Sequence, residues 1–384
     1  MQVTRIQSGG IRIKTSPEKF EEDFSTTYNI KSWGADNLFP NVFNNMIQAS
    51  PTASTCVRKK ARFIEGKGIE GGDSIMVNYS QTLNDLIAQL ADNSAKFGGF
   101  AVHCQYDGLG NITAIRNIDI EKLRLGECDS FGYIPFILWC QDWTGEGTQN
   151  GQQINPIVDC VKYFPFSISR EATLKRMYGD NKPNEADAQK YNGEIFYFSN
   201  RDYYPTSCAM NVLTDISTDT GLCNINYRNT RANFLPSAII AYQRGETEQN
   251  QQFLEAIAKM QGDSNAGKIL AVGVDDMESA PKSIDLQLKN FDKDFSVTAD
   301  RVESRIYSVF EQETFYLLKQ GKIGFGGQVI QDAYNSYDVA ISKERSQIEN
   351  ALKKIQTKFI SLQSTEMKIQ PLKFIVDENT NPTK

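Results

Sequence analysis

Apolar positions change period twice along this chain. They recur every three to four residues from 50 to 98, alternate through much of 99–205, and return to helical spacing beyond 211. The first helical stretch starts at Ser50 as N-cap with Pro51 at the first helical position. It carries Cys56, Val57, Lys60, Phe63 and Ile64 on one face and stops at Gly66 and Gly68. The second spans 81–98, with Leu83, Leu86, Ile87, Leu90 and Ala91 in register and Gly98-Gly99 as its stop. Ahead of both, residues 31–43 set turn formers (Gly34, Asp36, Asn37, Pro40) among Trp33, Leu38, Phe39 and Phe43. That pattern predicts a turn docked by its aromatics and then a helix. Residues 1–30 are polar, with acids at Glu18, Glu21, Glu22 and Asp23, and are expected to form an arm.

The alternating segment predicts a hairpin over 99–106 and 112–117, turned at Asp107-Gly108 and Gly110-Asn111. Further strands are expected in 133–143, 158–166 and 191–205, with a polar link between the first two. Strands without strand–helix alternation make the fold α+β. After 211, helices are expected over 215–243 (kinked or split at Pro236), 249–262, and 296–313 with Ser296 as cap. Strands are expected at 268–274 and 283–291. One long helix is predicted over 329–362. Its seam of Tyr337, Ile341, Ile348, Leu352, Ile355, Phe359 and Leu362 suits packing within the chain or against a neighbouring copy.

Composition narrows the chemistry. The 384 residues carry 41 bases against 47 acids, net charge -6, which disfavours simple tight grip on nucleic-acid phosphates. No run of about 18 apolar residues suggests a membrane span, and the N-terminus has no apolar secretory core. One histidine, His103, excludes a histidine-based triad or a site with two histidine ligands within one chain. It lies in the hairpin, where a hydrogen-bonded sheet histidine is the ordinary reading. Seven scattered cysteines (56, 104, 128, 140, 160, 208, 223) without a CxxC suggest free buried thiols in a reducing compartment. Arg58, Lys59, Lys60 and Arg62 form a basic helix group, either solvated or set against an acidic partner.

Two glycine motifs need weighing. Gly262 to Lys268 matches GxxxxGK, but a helix is expected before it and a strand after it. Ile269 replaces the magnesium-holding hydroxyl, so nucleotide binding is not expected. The stretch Gly321-Lys322-Ile323-Gly324-Phe325-Gly326-Gly327 lies between helices and lacks a dinucleotide-binding context. It is either a mobile surface loop or a loop that moves while presenting nearby side chains. Residues 246–313 hold 14 acids and 7 bases, a block of net charge -7.

Four stretches together resemble the portal proteins of tailed bacteriophages, siphovirus type. They are Trp33 to Pro40 with the helix ending Phe63 to Gly68; Lys96 to Val102 with its hairpin and Ile118-Asp119-Ile120; Gly262 to Leu270; and Arg305 to Phe310 with the glycine stretch and terminal helix. The resemblance covers about residues 30–360. It implies an N-terminal arm (1–30), an α/β wing (31–214), a first stem helix (215–245) and a small α/β clip (246–292). A second stem helix (293–316), a tunnel loop (317–328), a long helix returning to the wing with a short crown (329–376) and a disordered tail (377–384) follow.

The function implied is a dodecameric ring at a capsid vertex of the virion, assembled in the host cytoplasm. It is the channel for DNA packaging and ejection. Lys319, Gln320, Lys322, Ile323, Phe325 and Gln328 would face double-stranded DNA without sequence specificity. Lys268, Asp275, Asp276 and Glu278 of the clip would dock the terminase motor or the head–tail adaptor. The major capsid protein is a further implied partner. No catalytic residue, metal, cofactor or membrane is expected. Two other classes stay open: a ring-forming virion connector or scaffold without a DNA channel, and a carboxylate-dependent hydrolase or transferase, for which no paired motif is present.

Overall fold

The computed structural model describes residues 24–25, 29–34, 37–143, 160–231, 238–243, 269–274, 291–324 and 326–373. The chain divides into two units: residues 1–214 with 305–384, and residues 215–304. In the first, eight strands form one sheet in the order β1-β2-β5-β6-β7-β8-β3-β4. They are β1 (Phe24–Ser25), β2 (Ile30–Lys31), β3 (Gly99–Tyr106), β4 (Ile112–Asn117), β5 (Leu123–Gly126), β6 (Ile137–Trp139), β7 (Val161–Pro165) and β8 (Glu194–Ser199). All neighbours are antiparallel except β7 with β8. The α+β expectation holds, and the predicted hairpin appears with its expected bounds. The described part of the expected arm includes a short strand pairing. Phe24 and Ser25 pair with Lys31 and Ile30.

Helices α1 (Phe39–Ala49), α2 (Pro51–Glu65) and α3 (Leu83–Phe97) lie between β2 and β3 in sequence, and α3 packs on α2 and on β3. Ser50 Oγ accepts from the Ala53 amide at 3.1 Å, satisfying one orphan donor of the first turn of α2. Thr82 and Asp85 cap α3 reciprocally, and Gly98 ends it at φ +82°. The face of α3 read from the sequence is all buried. Burying such Leu and Ile side chains stabilises by about 1.5–3 kcal/mol each relative to exposure.

The docked turn is organised by a residue that periodicity does not single out. Arg124 on β5 is fully buried and hydrogen-bonds Asn37 through both its side-chain and backbone oxygens. It also donates to the carbonyls of Glu121 and Leu123, both at 2.7 Å. Asn37 holds φ +62°, and its Oδ1 accepts from the Trp33 amide at 3.0 Å. The Trp33 ring stacks on Tyr204 with centroids 4.4 Å apart. Burial lowers the Arg124 pKa to about 10.

The terminal seam is buried throughout, and it packs within its own unit against α2 and α3. It is not one helix. α9 (Gly327–Ala340) and α10 (Ser342–Gln356) meet at Ile341, and Phe359 and Leu362 follow in a short turn. Ser342 Oγ binds the Val339 carbonyl at 2.7 Å beside the break, a side chain competing locally with the helical ladder. Two further helices, α4 (Arg170–Tyr178) and α5 (Glu185–Lys190), interrupt the β-rich segment, capped by Ser169 and Asn184. No two cysteines are joined in a disulfide among the described residues. Cys56, Cys104 and Cys140 are buried, whereas Cys223 is exposed.

In the second unit the helix expected over 215–243 is shorter than expected. α6 (Leu213–Arg231) ends, and Ala238–Gln243 is a strand, β9, paired in parallel with β10 (Ile269–Val274). Short apolar runs fit both periods. A proline at 236 disfavours continuing the helix, and Ile239, Ile240 and Tyr242 suit a ladder. The strand expected at 268–274 is present as β10. The expected helix at 249–262 lies outside the described residues, as does the expected strand at 283–291 except for Phe291, which opens a helix. α7 (Phe291–Val309) starts five residues before the expected cap Ser296, which lies inside it.

Candidate functional site

The glycine stretch connects α8 (Glu313–Lys319) to α9. Its first turn is a helix stop: the Gly321 amide donates to Leu318 O and the Lys322 amide to Leu317 O, both at 3.0 Å. Gly321 holds φ +67°, so a side chain there is strained, although space around it and Gly324 is open. The loop proper is therefore shorter than 317–328, because 317–319 and 327–328 are helical.

Both flanks of the loop are clamped. Phe63 of α2 meets Phe315 of α8 and Tyr334 and Tyr337 of α9, with centroids 5.9, 5.1 and 4.9 Å away. Lys59 Nζ lies 3.8 Å from the Phe315 ring centre. Gln312 is buried and donates to Tyr337 Oη at 2.7 Å and to Cys56 O at 2.9 Å. Below the clamp, Arg345 pairs with Asp338 and donates to Phe63 O at 2.8 Å, while Lys60 pairs with Glu344 at 3.0 Å. Glu311, before α8, holds φ +58°, doing as a non-glycine what Gly321 does at the other end of α8.

The predicted loop residues separate into groups. Lys319 and Lys322 are exposed, and Ile323 is half-buried. Lys319 Nζ lies 6.0 Å from the Tyr307 ring centre. Gln320 turns inward, donating to Tyr316 Oη, and Gln328 bonds Asp332 at 2.9 Å on the first turn of α9. Phe325 lies outside the described residues, as do Lys268, Asp275, Asp276 and Glu278. What the site offers is two exposed ammonium groups, Lys319 at the end of α8 and Lys322 on the short glycine tether between the helix ends. That suits transient, sequence-independent phosphate contact.

One constellation has no counterpart in the sequence pattern. Glu194, at the start of β8, is fully buried and accepts five hydrogen bonds. The donors are Tyr106 Oη (2.8 Å), the Ser167 amide (3.0 Å), Thr173 Oγ1 (3.1 Å), Arg176 (2.8 Å) and Tyr191 Oη (3.1 Å). Lys358, just beyond α10, reaches in to Thr173 Oγ1 at 2.7 Å and lies 3.9 Å from Glu194. Burial lowers the Lys358 pKa against the pull of Glu194. Burial, with Glu194 beside them, raises the Tyr106 and Tyr191 phenols. The carboxylate oxygens are saturated from within the chain, which is a bolt joining β8, β3, α4 and the C-terminal segment. The one signal in the sequence is a lone Glu opening the aromatic strand EIFYFS. Among the described residues no group of three or more metal-ligating side chains exists, and no helix is long and apolar enough to cross a membrane.

His103 is the hydrogen-bonded sheet histidine expected. Its Nε2 lies 2.7 Å from Asn192 O and its Nδ1 accepts from Arg116 Nε at 3.1 Å, which assigns the proton to Nε2. Burial lowers its pKa. A histidine with a folded pKa below its unfolded value loses protein stability as pH falls below about 6.5. Being the only histidine, it gives one ring signal in a proton NMR titration. That signal should titrate below pH 6.5, and a midpoint above it would contradict the assignment.

No family model and no curated protein matches the chain. Among solved structures it is similar to a chain of the neck of a native gene transfer agent particle, computed with C12 symmetry. Identity is 11% and the TM-score 0.46, over 89% of this chain and 86% of that one. A chain of the virion of a native gene transfer agent particle gives 11% and 0.48, over 86% and 83%. A chain of the neck of an empty particle, computed with C6 symmetry, gives 10% and 0.47, over 89% and 86%.

Proposed function

We propose that this chain is a portal-type ring protein of a tailed-phage-like particle, forming the channel through which double-stranded DNA is packaged and ejected. The observation that carries the reading is the loop after α8: exposed Lys322 on a glycine tether beside exposed Lys319 at the helix end, with the two flanking helices clamped to α2 by one aromatic cluster. Such a loop moves without loosening its base. The net charge of -7 over 246–313 supports it, since a conduit must repel what it conducts. Every phosphate neutralised by a lysine adds affinity and slows sliding, so only brief contacts serve a channel. Repulsion between exposed charges reaches about 8 Å at physiological ionic strength, enough to keep a duplex off a nearby wall.

In this reading twelve copies close at one capsid vertex of the virion after assembly in the host cytoplasm. The clip segment meets the terminase motor and later the head–tail adaptor, the ring meets the major capsid protein, and the chain has no catalysis of its own. Imaging the purified assembly down its symmetry axis tests it. A closed ring with an opening wide enough for duplex DNA is expected. A ring too narrow would make the chain a connector without a channel, and a monomer would remove the reading. Lys322→Glu should leave the ring intact and reduce the DNA packaged or retained per particle. Unchanged DNA content would remove the loop from the channel.

A further inference from the structure

The turn between β5 and β6 displays two large aromatics to water. Phe131 is 83% exposed and Tyr133 72%. The turn is held in one shape. Asp129 Oδ1 accepts from the amides of Phe131 and Tyr133, both at 2.9 Å, and the Asp129 amide donates to Tyr133 O at 2.9 Å. Gly132 completes it at φ +83°. Two rigid exposed rings lose little entropy on being covered, the property of an interface anchor. Acidic Glu127 and Asp129, both exposed, flank them.

The basic group of α2 supplies the complement. Two of its four bases are used within the chain: Lys59 lies over the Phe315 ring, and Lys60 pairs with Glu344. Arg58 and Arg62 are exposed and make no salt bridge among the described residues, and Arg62 has an intrachain carboxylate, Glu65, within electrostatic reach. One helical turn apart, their side chains start about 5–6 Å from each other. Guanidinium groups stack on aromatic faces and pair with carboxylates, so this stripe fits an acidic aromatic tip. Tip and stripe are both exposed in the same fold, so within one chain they do not cover each other. α2 packs on α3 and α3 on β3, far along the sheet order from β5 and β6.

We infer that the Phe131–Tyr133 tip of one copy docks on the Arg58–Arg62 stripe of the next, as the head-to-tail contact of the assembly. The inference rests on the ring reading above and deepens it. Contacts between unlike surfaces build closed rings or filaments, because each copy offers one tip and one stripe.

The test is native mass spectrometry of the full chain. The wild-type chain should assemble. Arg58→Glu/Arg62→Glu and Phe131→Ala/Tyr133→Ala should each fold, with far-UV circular dichroism like wild type, and each should need about 30-fold more protein to assemble. Mixed one to one, the two variants should stop at a dimer, since one retains a tip and the other a stripe. If either variant assembles at the wild-type concentration, or the mixture regains the full assembly, the docking is wrong while the ring stands. A wild-type chain that stays monomeric removes both.

Discussion

Replacing Glu194 by alanine is expected to lower the unfolding free energy by roughly 3–5 kcal/mol, the usual cost of breaking a buried ion pair from one side. The substitution strands the buried Lys358 ammonium and the Arg176 guanidinium, and five donors lose their acceptor. Removing both charges should cost less than removing one. The double variant Glu194→Met/Lys358→Met should therefore be more stable than Glu194→Ala, because no lone buried lysine charge remains. Urea denaturation followed by circular dichroism reads both. Additive losses, with the double variant the least stable, would show that Lys358 is not held there by Glu194.

Arg124→Ala should be the second large effect, roughly 3–5 kcal/mol, through the cavity left and the carbonyls orphaned. Arg124 has no carboxylate partner among its hydrogen bonds. Its charge is solvated by the carbonyls of Asn37, Glu121 and Leu123 and by the Asn37 side chain. The rings of Trp143 and Trp33 lie 4.9 and 5.8 Å from the guanidinium carbon. Arg124→Lys should recover less than half of the loss, since an ammonium cannot span four acceptors fixed for a planar fork. Tryptophan fluorescence should report the turn, because Trp33 stacks on Tyr204 only while Asn37 is held. A lysine variant as stable as wild type would show that charge alone suffices.

The loop is the part of the candidate site the sequence displays most openly. Its glycines, Lys319 and Lys322 are legible there, and both lysines are exposed. The clamp is not legible, because Phe63, Phe315 and Tyr334 are far apart in sequence and each looks like an ordinary apolar position. Gln320 reads as outward and turns inward to Tyr316, because its partner belongs to the helical turn before it and not to the loop. Ala238–Gln243 reads as helix because a short apolar run satisfies two periods, and the partner strand that decides between them begins at Ile269.

By itself the sequence determined the α+β class, the bounds of the β3–β4 hairpin, the caps of α2, the buried face of α3 and the seam after 337. Each of these rests on spacing within a few residues, where backbone geometry allows one answer. Tertiary structure alone decided that the seam is filled by α2 and α3 of its own unit. It also brought Glu194 to Lys358 and Arg124 to Asn37. These are pairings of groups tens to hundreds of residues apart, and their energy comes from being buried together, which no local pattern records.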